Sequence, residues 1–322
     1  MRTLEHSLAE AADAISACRS LVAIGHIHPD GDALGSALAL ALAARDVGKQ
    51  AWVTFGEPFS VADQFRFLEL GPVVGQDEIP PEIDVVVACD TANPDRLGSA
   101  LVVAERAGTL IVVDHHVSNG GFGDIRVIDP NAAATAQLAY YLLADHLEWP
   151  IGAAAATALY AGLVTDTGRF QYSATTGEVH RVAAHLLAAG VDPDNVGRHI
   201  YGEAPFGYLR VAGAVLGRSR LEPGHSLVWS VVYQQDLVDA GIGYDDTDGL
   251  IDLLRLAAEA EVACLLKETE PGVLKGSLRS RGAVDVNVVA AAFGGGGHHN
   301  AAGFTSAAKA EEVVALIKAY LS

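Results

Sequence analysis

A short segment rich in histidine and aspartate constrains this chain more than any other, because it lies between an apolar run and an alanine-rich run. The apolar residues 21–24 predict a buried strand, and the alanine- and leucine-rich residues 33–44 predict a helix. The segment between them carries two imidazoles and two carboxylates, at His26, His28, Asp30 and Asp32. Open α/β sheets bind ligands in loops at the carboxyl ends of their strands, and mixed imidazole and carboxylate donors suit Mn²⁺, Zn²⁺ or iron. The sequence therefore predicts an α/β fold with a metal site after this strand.

Three more acidic or imidazole clusters follow later in the chain. Asp90 ends the apolar run 85–89, Asp114, His115 and His116 end the apolar run 110–113, and Asp166 closes an alanine-rich helical segment. Carboxylates that crowd at the rim of a sheet repel one another unless a cation neutralises them. Taken singly, Asp32 could cap its own helix, His115 could be a buried core histidine, and Asp166 could belong to a simple turn. Their occurrence together favours a shared metal centre.

The pattern of elements divides the chain into two domains of different fold class. Helical and strand patterns alternate up to Gly190, which predicts an α/β N-terminal domain, residues 1–192, with a parallel sheet and helices on both faces. After this break, residues 193–222 are predicted as a helical linker. Residues 223–322 predict a smaller α+β domain, in which residues 262–279 form a hairpin.

Composition and charge limit the partners of the chain. Its 322 residues include 40 acidic and 21 basic side chains, which gives a formal net charge of −19, and there is no obvious basic run. Such a surface repels long nucleic acid, whereas a short anion can bind at a local site that holds metal ions. No apolar run is long enough to span a membrane, the N-terminus lacks signal-peptide features, and three scattered cysteines predict no disulfide framework. We therefore expect a cytoplasmic protein with neither a membrane nor a long nucleic-acid polymer as partner.

The order of these clusters resembles a known family. The pattern His-x-x-x-Asp-x-Asp, the strand-end Asp, Asp-His-His and the later Asp in Thr-Asp-Thr are similar in order and approximate spacing to four motifs of the DHH phosphoesterases. Residues 294–303, Gly-Gly-Gly-Gly-His-His-Asn-Ala-Ala-Gly, resemble the signature of the C-terminal domain associated with DHH proteins. The chain length and this domain pair are most similar to the NrnA-like group of oligoribonucleases and 3′-phosphoadenosine 5′-phosphate (PAP) phosphatases.

The resemblance implies a centre of two divalent cations, most readily Mn²⁺, with Mg²⁺ or Co²⁺ as alternatives. One ion would be held by His26, Asp30 and Asp90, and the other by Asp32, Asp90, His115 and Asp166, with Asp90 as the bridge. Beside these ligands, Asp114 would orient an imidazole. His116 would face the substrate phosphate or protonate the leaving oxygen.

A second cluster, in the C-terminal domain, predicts a phosphate-binding site. It comprises Ser277, Arg279, Ser280, Gly296, Gly297, His298 and His299. The glycine run lets the backbone approach an anion closely. Strand alternation would place Ser277 and Arg279 on one face and Ser280 on the other, which makes Arg279 the first candidate for a phosphate contact. The alternative is a flexible glycine turn before the last helix.

Together these features predict a metal-dependent phosphoesterase that degrades short RNA or DNA oligonucleotides to 5′-mononucleotides and converts PAP to AMP. The principal alternative on the same scaffold is a phosphodiesterase of cyclic di-AMP or of linear pApA. A family II pyrophosphatase would carry a different C-terminal domain, and a RecJ-type exonuclease would carry an additional nucleic-acid-binding domain. The alternative from another class is a protein without catalysis, either a nucleotide-binding module or a metal-buffering protein. The resemblance also suggests a homodimer.

Overall fold

Five parallel strands form the sheet of the N-terminal unit. They are seen in a computed structural model that describes residues 3–247 and 249–321, with only the backbone described at Asp245 and His298. This unit ends at Glu203. Its helices and strands are α1 (Leu4–Ala17), β1 (Ser20–Ile24), α2 (Gly31–Asp46), β2 (Gln50–Thr54), β3 (Ile83–Cys89), α3 (Leu101–Ala104), β4 (Ala107–Asp114), β5 (Ile125–Ile128), α4 (Thr135–Tyr141), α5 (Ala153–Asp166), α6 (Gly177–Ala188) and α7 (Pro193–Gly197).

The order of the strands creates a place for a ligand. It is β2-β1-β3-β4-β5, and every neighbouring pair is parallel. From β1 the chain moves outward to β2 and then returns to the other side of β1 to form β3. At such a reversal the connections after two neighbouring strands diverge, and a crevice opens outside their carboxyl ends. The loops after β1 and β3 flank that crevice.

The sheet is buried on both faces, which explains its valine-rich strands. β1 is buried along its whole length, and β3 is buried except at Asp84. One hydrophobic cluster joins one face of the sheet to α1, α2, α4, α5 and α6, and a second joins the other face to α3 and the turn before it. The predicted α/β class with a parallel sheet is confirmed.

Helices α2 and α5 approach each other closely because glycine is present where they meet. A Cβ atom at Gly35 of α2 would overlap the carbonyl oxygen of Ala158, and one at Gly162 of α5 would lie 3.0 Å from Asp32 Oδ1. A side chain at either position would push the two helices apart. The contact therefore sets the first turn of α2 beside the helix that ends at Asp166.

The second unit begins at Ala204 and contains a mixed sheet. Its elements are α8 (Phe206–Gly217), β6 (Arg220–Glu222), β7 (Leu227–Val232), α9 (Gln234–Ala240), α10 (Leu250–Leu254), β8 (Val262–Glu270), β9 (Val273–Ser280), α11 (Val286–Ala291), β10 (Gly296–His298), β11 (Ala301–Ser306) and α12 (Ala310–Tyr320). The strand order is β10-β11-β9-β8-β7-β6, in which β7 and β8 are parallel and the other pairs are antiparallel. Helices α11 and α12 pack on one face, and α8 and α10 pack on the other, which agrees with the α+β class.

The segment 193–222 is divided between the two units. Helix α7 lies in the first unit, whereas α8 and β6 lie in the second. Residues 220–222 form an edge strand rather than a helix, because they pair antiparallel with β7. Across the described residues, no helix combines the length and the apolar character that crossing a membrane requires.

Candidate metal centre

Side chains from separate parts of the first unit meet at the carboxyl edge of the parallel sheet. His26 follows β1, Asp30 and Asp32 lie at the start of α2, Asp90 follows β3, His115 follows β4, and Asp166 ends α5. Their ligand atoms form close groups, each within 4.8 Å: His26, Asp30 and Asp90 make one group, and Asp32, His115 and Asp166 make another. The structure thus brings together all six residues that the sequence analysis named as ligands. His28 is exposed and lies outside the close groups found among the described residues.

Asp90 lies between the two groups. Its Oδ2 is 3.6 Å from His26 Nε2, and its Oδ1 is 3.6 Å from His115 Nε2. The residue is buried, has a φ of +55°, and accepts a hydrogen bond from Thr135 Oγ1 at 3.0 Å. A left-handed backbone at a residue other than glycine costs about 1–3 kcal/mol. Packing and hydrogen bonding therefore hold this carboxylate between two imidazoles against an unfavourable backbone conformation.

Both imidazoles turn the same ring nitrogen toward the carboxylates. His26 Nδ1 donates to the Ile27 carbonyl at 2.8 Å, and His115 Nδ1 donates to the Ala132 carbonyl at 3.2 Å. A carbonyl oxygen only accepts, so each Nδ1 carries a proton, and in the neutral ring Nε2 keeps its lone pair. Histidines that bind metals have this arrangement, because the Nδ1 hydrogen bond fixes the tautomer and the ring orientation.

Asp30 and Asp32 accept hydrogen bonds from backbone amides in addition to facing the site. Asp30 caps α2: its Oδ1 accepts from two amides of the first turn, while its Oδ2 lies 3.7 Å from His26 Nε2. Asp32 is fully buried and accepts from the amides of Thr135 and Ala136 at 2.6 and 2.8 Å. Asp32 therefore binds the start of α4 and does not cap its own helix.

Burial and mutual repulsion raise the pKa values of the two carboxylates in the second group. Burial, together with the charges of neighbouring aspartates, raises the pKa of Asp32 well above its usual range. The same two causes, burial first, raise the pKa of Asp166. Between them, His115 Nε2 lies 3.9 Å from Asp32 Oδ2 and 3.2 Å from Asp166 Oδ2. A bound cation would remove the repulsion that raises both pKa values.

In the first group, the imidazole of His26 is charged in the metal-free protein. Burial lowers its pKa, but hydrogen bonds to Asp30 and Asp90 and their charges outweigh burial and raise the pKa of His26 to about 10. Local desolvation raises the pKa of Asp30, yet His26 and the capped amides lower it to about 2. The donor set of carboxylate oxygens and imidazole nitrogens fits a divalent metal ion. Because histidine must lose a proton to bind it, metal affinity should rise with pH.

His116 is held by a buried carboxylate. Its Nδ1 donates to Asp114 Oδ1 at 2.7 Å, and Asn119 Nδ2 donates to Asp114 Oδ2 at 2.6 Å. Burial raises the pKa of the fully buried Asp114, but His116 and Asn119 outweigh it and lower that pKa below its usual range. Burial lowers the pKa of His116, but Asp114 and Asp90 raise it above its ordinary value. The imidazole that Asp114 orients is therefore that of His116.

Two supporting residues of the site were not predicted from the sequence. Thr135 donates its hydroxyl to Asp90 and its amide to Asp32. Asn119 supports Asp114 and also donates to the Thr91 carbonyl at 3.2 Å. A helix begins at Thr135, and a helix start presents free amide donors, so the sequence offered one signal there. Nothing in the sequence around Asn119 indicates its contact.

The second unit brings part of the predicted phosphate cluster onto one strand face. Ser277 of β9 pairs with Gly303, which pairs in turn with Gly296 of β10. Arg279 lies two residues further along β9, so its side chain shares the face of Ser277, and both are half-buried. Ser280 points to the opposite side, is buried, and forms a hydrogen bond to Asn300 Oδ1 at 3.1 Å.

The remaining members of this cluster lie around the turn between β10 and β11. His299 Nε2 is 3.0 Å from the Gly282 carbonyl, and its Nδ1 is 3.6 Å from Asp285 Oδ2. The Gly297 amide donates to Asn287 Oδ1 at 2.9 Å, so that amide already has an acceptor. The side chain of His298 lies outside the described residues.

Comparison with known proteins agrees with the architecture. Residues 20–163 match the family model described as the DHH family, N-terminal domain, and residues 227–322 match the DHHA1 domain. The chain is 37% identical over 272 residues to the bifunctional oligoribonuclease and PAP phosphatase NrnA of Thermus thermophilus, an alignment that covers 82% of this chain and 77% of that protein. It is 26% identical over 308 residues to the cyclic-di-AMP phosphodiesterase GdpP of Geobacillus thermodenitrificans, covering 89% of this chain and 44% of that protein.

A solved structure is similar over almost the whole chain. The exopolyphosphatase-related protein of Bacteroides fragilis superposes with a TM-score of 0.91 at 25% sequence identity, and the match covers 98% of this chain and 96% of that one. Sequence relatives, domain pair and fold therefore agree. This chain belongs to the DHH family of phosphoesterases, with an N-terminal DHH domain followed by a DHHA1 domain.

Proposed function

We propose that this chain is a two-metal hydrolase that cleaves short oligonucleotides to 5′-mononucleotides and removes the 3′-phosphate of PAP. The observation that carries the proposal is the position of Asp90, whose two oxygens each lie 3.6 Å from a different imidazole. A carboxylate that faces two imidazole-containing groups suits a pair of cations, because a pair needs a shared ligand. The similarity to an oligoribonuclease and PAP phosphatase supports the substrate class.

The cations would be held by the two groups already described. One would be bound by His26, Asp30 and Asp90, and the other by Asp32, Asp90, His115 and Asp166. Cations bound at such a site neutralise the phosphoryl oxygens and lower the pKa of water to about 7. Several oxygen donors with one imidazole per group favour Mn²⁺, and Mg²⁺ and Co²⁺ are the alternatives.

We assign the proton for the leaving oxygen to His116. Asp114 and Asp90 raise its pKa against the effect of burial, so the imidazole holds a proton more firmly than a solvated histidine does. Asp114 also fixes the ring through Nδ1 at 2.7 Å, and we assign delivery of the proton to Nε2. The fully buried Asp114 thereby stabilises the charged imidazole before the bond breaks.

The nucleotide itself would be bound by the DHHA1 domain. Arg279 and Ser277 share a half-buried strand face, and the guanidinium fork matches the geometry of a phosphate. Gly296, Gly297, His298 and His299 would complete this site, with Ser280 supporting it from behind through Asn300. A net charge of −19 argues for a short ligand, because a long polymer would meet repulsion beyond the site.

A second candidate function is hydrolysis of cyclic di-AMP or linear pApA, which the similarity to GdpP favours. A product panel distinguishes the two. Purified protein would be incubated with pApA, a longer single strand, PAP, cyclic di-AMP and pyrophosphate, each with Mn²⁺ or with a chelator. We expect Mn²⁺-dependent AMP release from PAP that exceeds turnover of cyclic di-AMP, whereas pApA is a substrate under both candidates and reports only that the metal centre is active.

Two variants sharpen the panel. Asp90→Asn should be inactive, whereas Asp13→Asn, on an exposed position of α1, should behave as the wild type. Activity that persists in the chelator, or in Asp90→Asn, would contradict the proposal. Light scattering on the same preparation tests the homodimer that the resemblance allows.

A further inference from the structure

A strained turn beside the metal centre displays an arginine that the reaction as described does not use. Gly168, Arg169 and Phe170 follow α5 with φ values of +56°, +62° and +61°. At Arg169 and Phe170 this left-handed backbone costs about 1–3 kcal/mol each. Such strain persists only where the surrounding structure imposes it, and it is concentrated at functional sites.

Contacts on both sides impose this conformation. The buried hydroxyl of Thr167 accepts from the Phe170 amide at 3.0 Å. The Arg169 amide donates to the Val164 carbonyl at 2.8 Å and so closes the end of α5. The ring of Phe170 packs against Tyr160, with 6.0 Å between centroids. Phe170 therefore anchors the turn, while Arg169 is exposed to solvent.

The guanidinium of Arg169 rests on an aromatic ring instead of a carboxylate. It lies 4.0 Å from the ring centroid of Tyr201, whose hydroxyl donates to the Val164 carbonyl at 3.2 Å. Within the described residues, Arg169 has no acidic side chain at ion-pair distance, whereas Arg181, which is also exposed, pairs with Glu178. The charge of Arg169 is therefore available to an anion in a chain that is otherwise strongly acidic.

Arg169 lies within reach of the metal centre. Asp166 ends α5, and its Oδ2 is 3.2 Å from His115 Nε2. Three residues span at most about 11 Å when fully extended, and this turn is folded back, so the Arg169 backbone is closer than that to Asp166. A long guanidinium side chain can swing from the Tyr201 ring across this distance and bind phosphate oxygens in a fork.

We propose that Arg169 binds a non-bridging phosphate oxygen of the nucleotide at the metal centre, and that the strained turn 167–170 holds it in position to do so. The inference rests on the proposed function, because it assigns a residue to the same substrate. Arg169 neutralises phosphate charge on the side of the site formed by the end of α5. Its role is to bind and orient the substrate, and Tyr201 keeps the side chain ordered between turnovers.

The test compares Arg169→Ala, Arg169→Lys and Arg169→Gly with the control Arg181→Ala in the full-length protein with Mn²⁺. Loss of a charge-assisted hydrogen bond weakens binding by about 10- to 100-fold. We expect a loss in this range for the KM of pApA and for the calorimetric Kd of AMP in Arg169→Ala and Arg169→Gly. Arg169→Lys keeps the charge without the fork and should be intermediate. Arg181→Ala should be indistinguishable from the wild type.

Arg169→Gly separates binding from folding. Glycine adopts a φ of +62° without strain, so this variant should keep the wild-type Tm and metal content while it loses affinity. A parallel loss of Tm or metal would mean that Arg169 only supports the fold, and would overturn the inference. Wild-type hydrolysis with an unchanged KM and Kd in Arg169→Ala would overturn the inference alone. A wild type that neither hydrolyses these nucleotides nor binds AMP would overturn the proposed function as well.

Discussion

Asn119 offers a direct test of the Asp114–His116 pair, because it supports that pair without being one of the predicted ligands. Its side-chain amide donates to Asp114 Oδ2 at 2.6 Å and to the Thr91 carbonyl at 3.2 Å, and its oxygen accepts from the Gly121 amide at 2.8 Å. Asn119→Ala removes all three hydrogen bonds. Loss of a hydrogen bond to a buried charge costs about 1.5–3 kcal/mol, so we expect the free energy of unfolding to fall by about 2–3 kcal/mol.

The same substitution should lower kcat without lowering the metal content. Without Asn119 the Asp114 carboxylate can turn away from His116 Nδ1, and removal of a supporting residue of this kind typically costs about 10- to 100-fold. The pKa of His116 should fall as Asp114 turns away. Since His116 must be protonated to act as an acid, the alkaline limb of the kcat profile should move to lower pH.

Urea unfolding, metal analysis and steady-state kinetics with pApA would be measured for this variant and for Asn131→Ala. Asn131 is a matched control, because it lies in an exposed loop and donates to Asp129 Oδ1 at 3.0 Å. If kcat and its pH profile in Asn119→Ala are indistinguishable from those in Asn131→Ala, the support of Asp114 has no catalytic consequence. The role given to the Asp114–His116 pair would then be refuted.

Three further predictions concern the metal centre and its surroundings. Asp90→Asn should halve the bound Mn²⁺ or reduce it further, because it removes the shared ligand charge; undiminished metal by mass spectrometry would exclude the bridging role. Gly162→Ala should destabilise the protein by about 1–3 kcal/mol in thermal unfolding, since the added Cβ would lie 2.9 Å from a side chain of α4. Gly213→Ala, with no atom within 4 Å, should be tolerated. In the metal-free protein, the raised pKa values of Asp32 and Asp166 make folding favour their protonated forms, so the urea midpoint should fall as the pH rises above the usual aspartate pKa of about 4. Mn²⁺ should abolish this slope, and a metal-free midpoint that rises over the same range would contradict the raised pKa values.

The parallel sheet was predictable because its strands are buried on both faces. The apolar runs 85–89 and 110–113 lie within β3 and β4, which extend further toward their N-terminal ends, where polar residues interrupt the pattern. β5 was not predicted, because it is four residues long and includes the exposed Arg126. A strand of this kind is specified by its parallel pairing with β4 and not by its own composition.

The two strands at the glycine-rich end of the chain were not predicted, for a similar reason. β10 and β11 consist largely of glycine and alanine, which are depleted in strands. They form strands because each has a partner in register: β11 pairs with β9, with Ala301 opposite Arg279, and β10 pairs with β11. The same edge pairing explains residues 220–222, where β7 provides the partner.

The residue types of the metal centre followed from strand ends and motif order, but their supporting contacts did not. Asp32 binds the start of α4, 103 residues away, and Thr135 donates to Asp90 across 45 residues. Such contacts depend on how α2, α4 and β3 pack together. No local sequence pattern encodes that packing. Only the folded chain shows that the Asp32 carboxylate lies beside His115 and also accepts hydrogen bonds from the start of α4.

Because Asp32 accepts hydrogen bonds from two backbone amides, the hydrogen exchange of those amides should report the charge of Asp32. The amides of Thr135 and Ala136 have no acceptor within their own helix, and Asp32 supplies one for each. An ionised carboxylate accepts these bonds more strongly than a neutral one. Deuterium uptake at residues 135 and 136 should therefore be slow when Asp32 is ionised and faster when it gains a proton, so mass spectrometry can follow the charge of a buried group that carries no probe of its own.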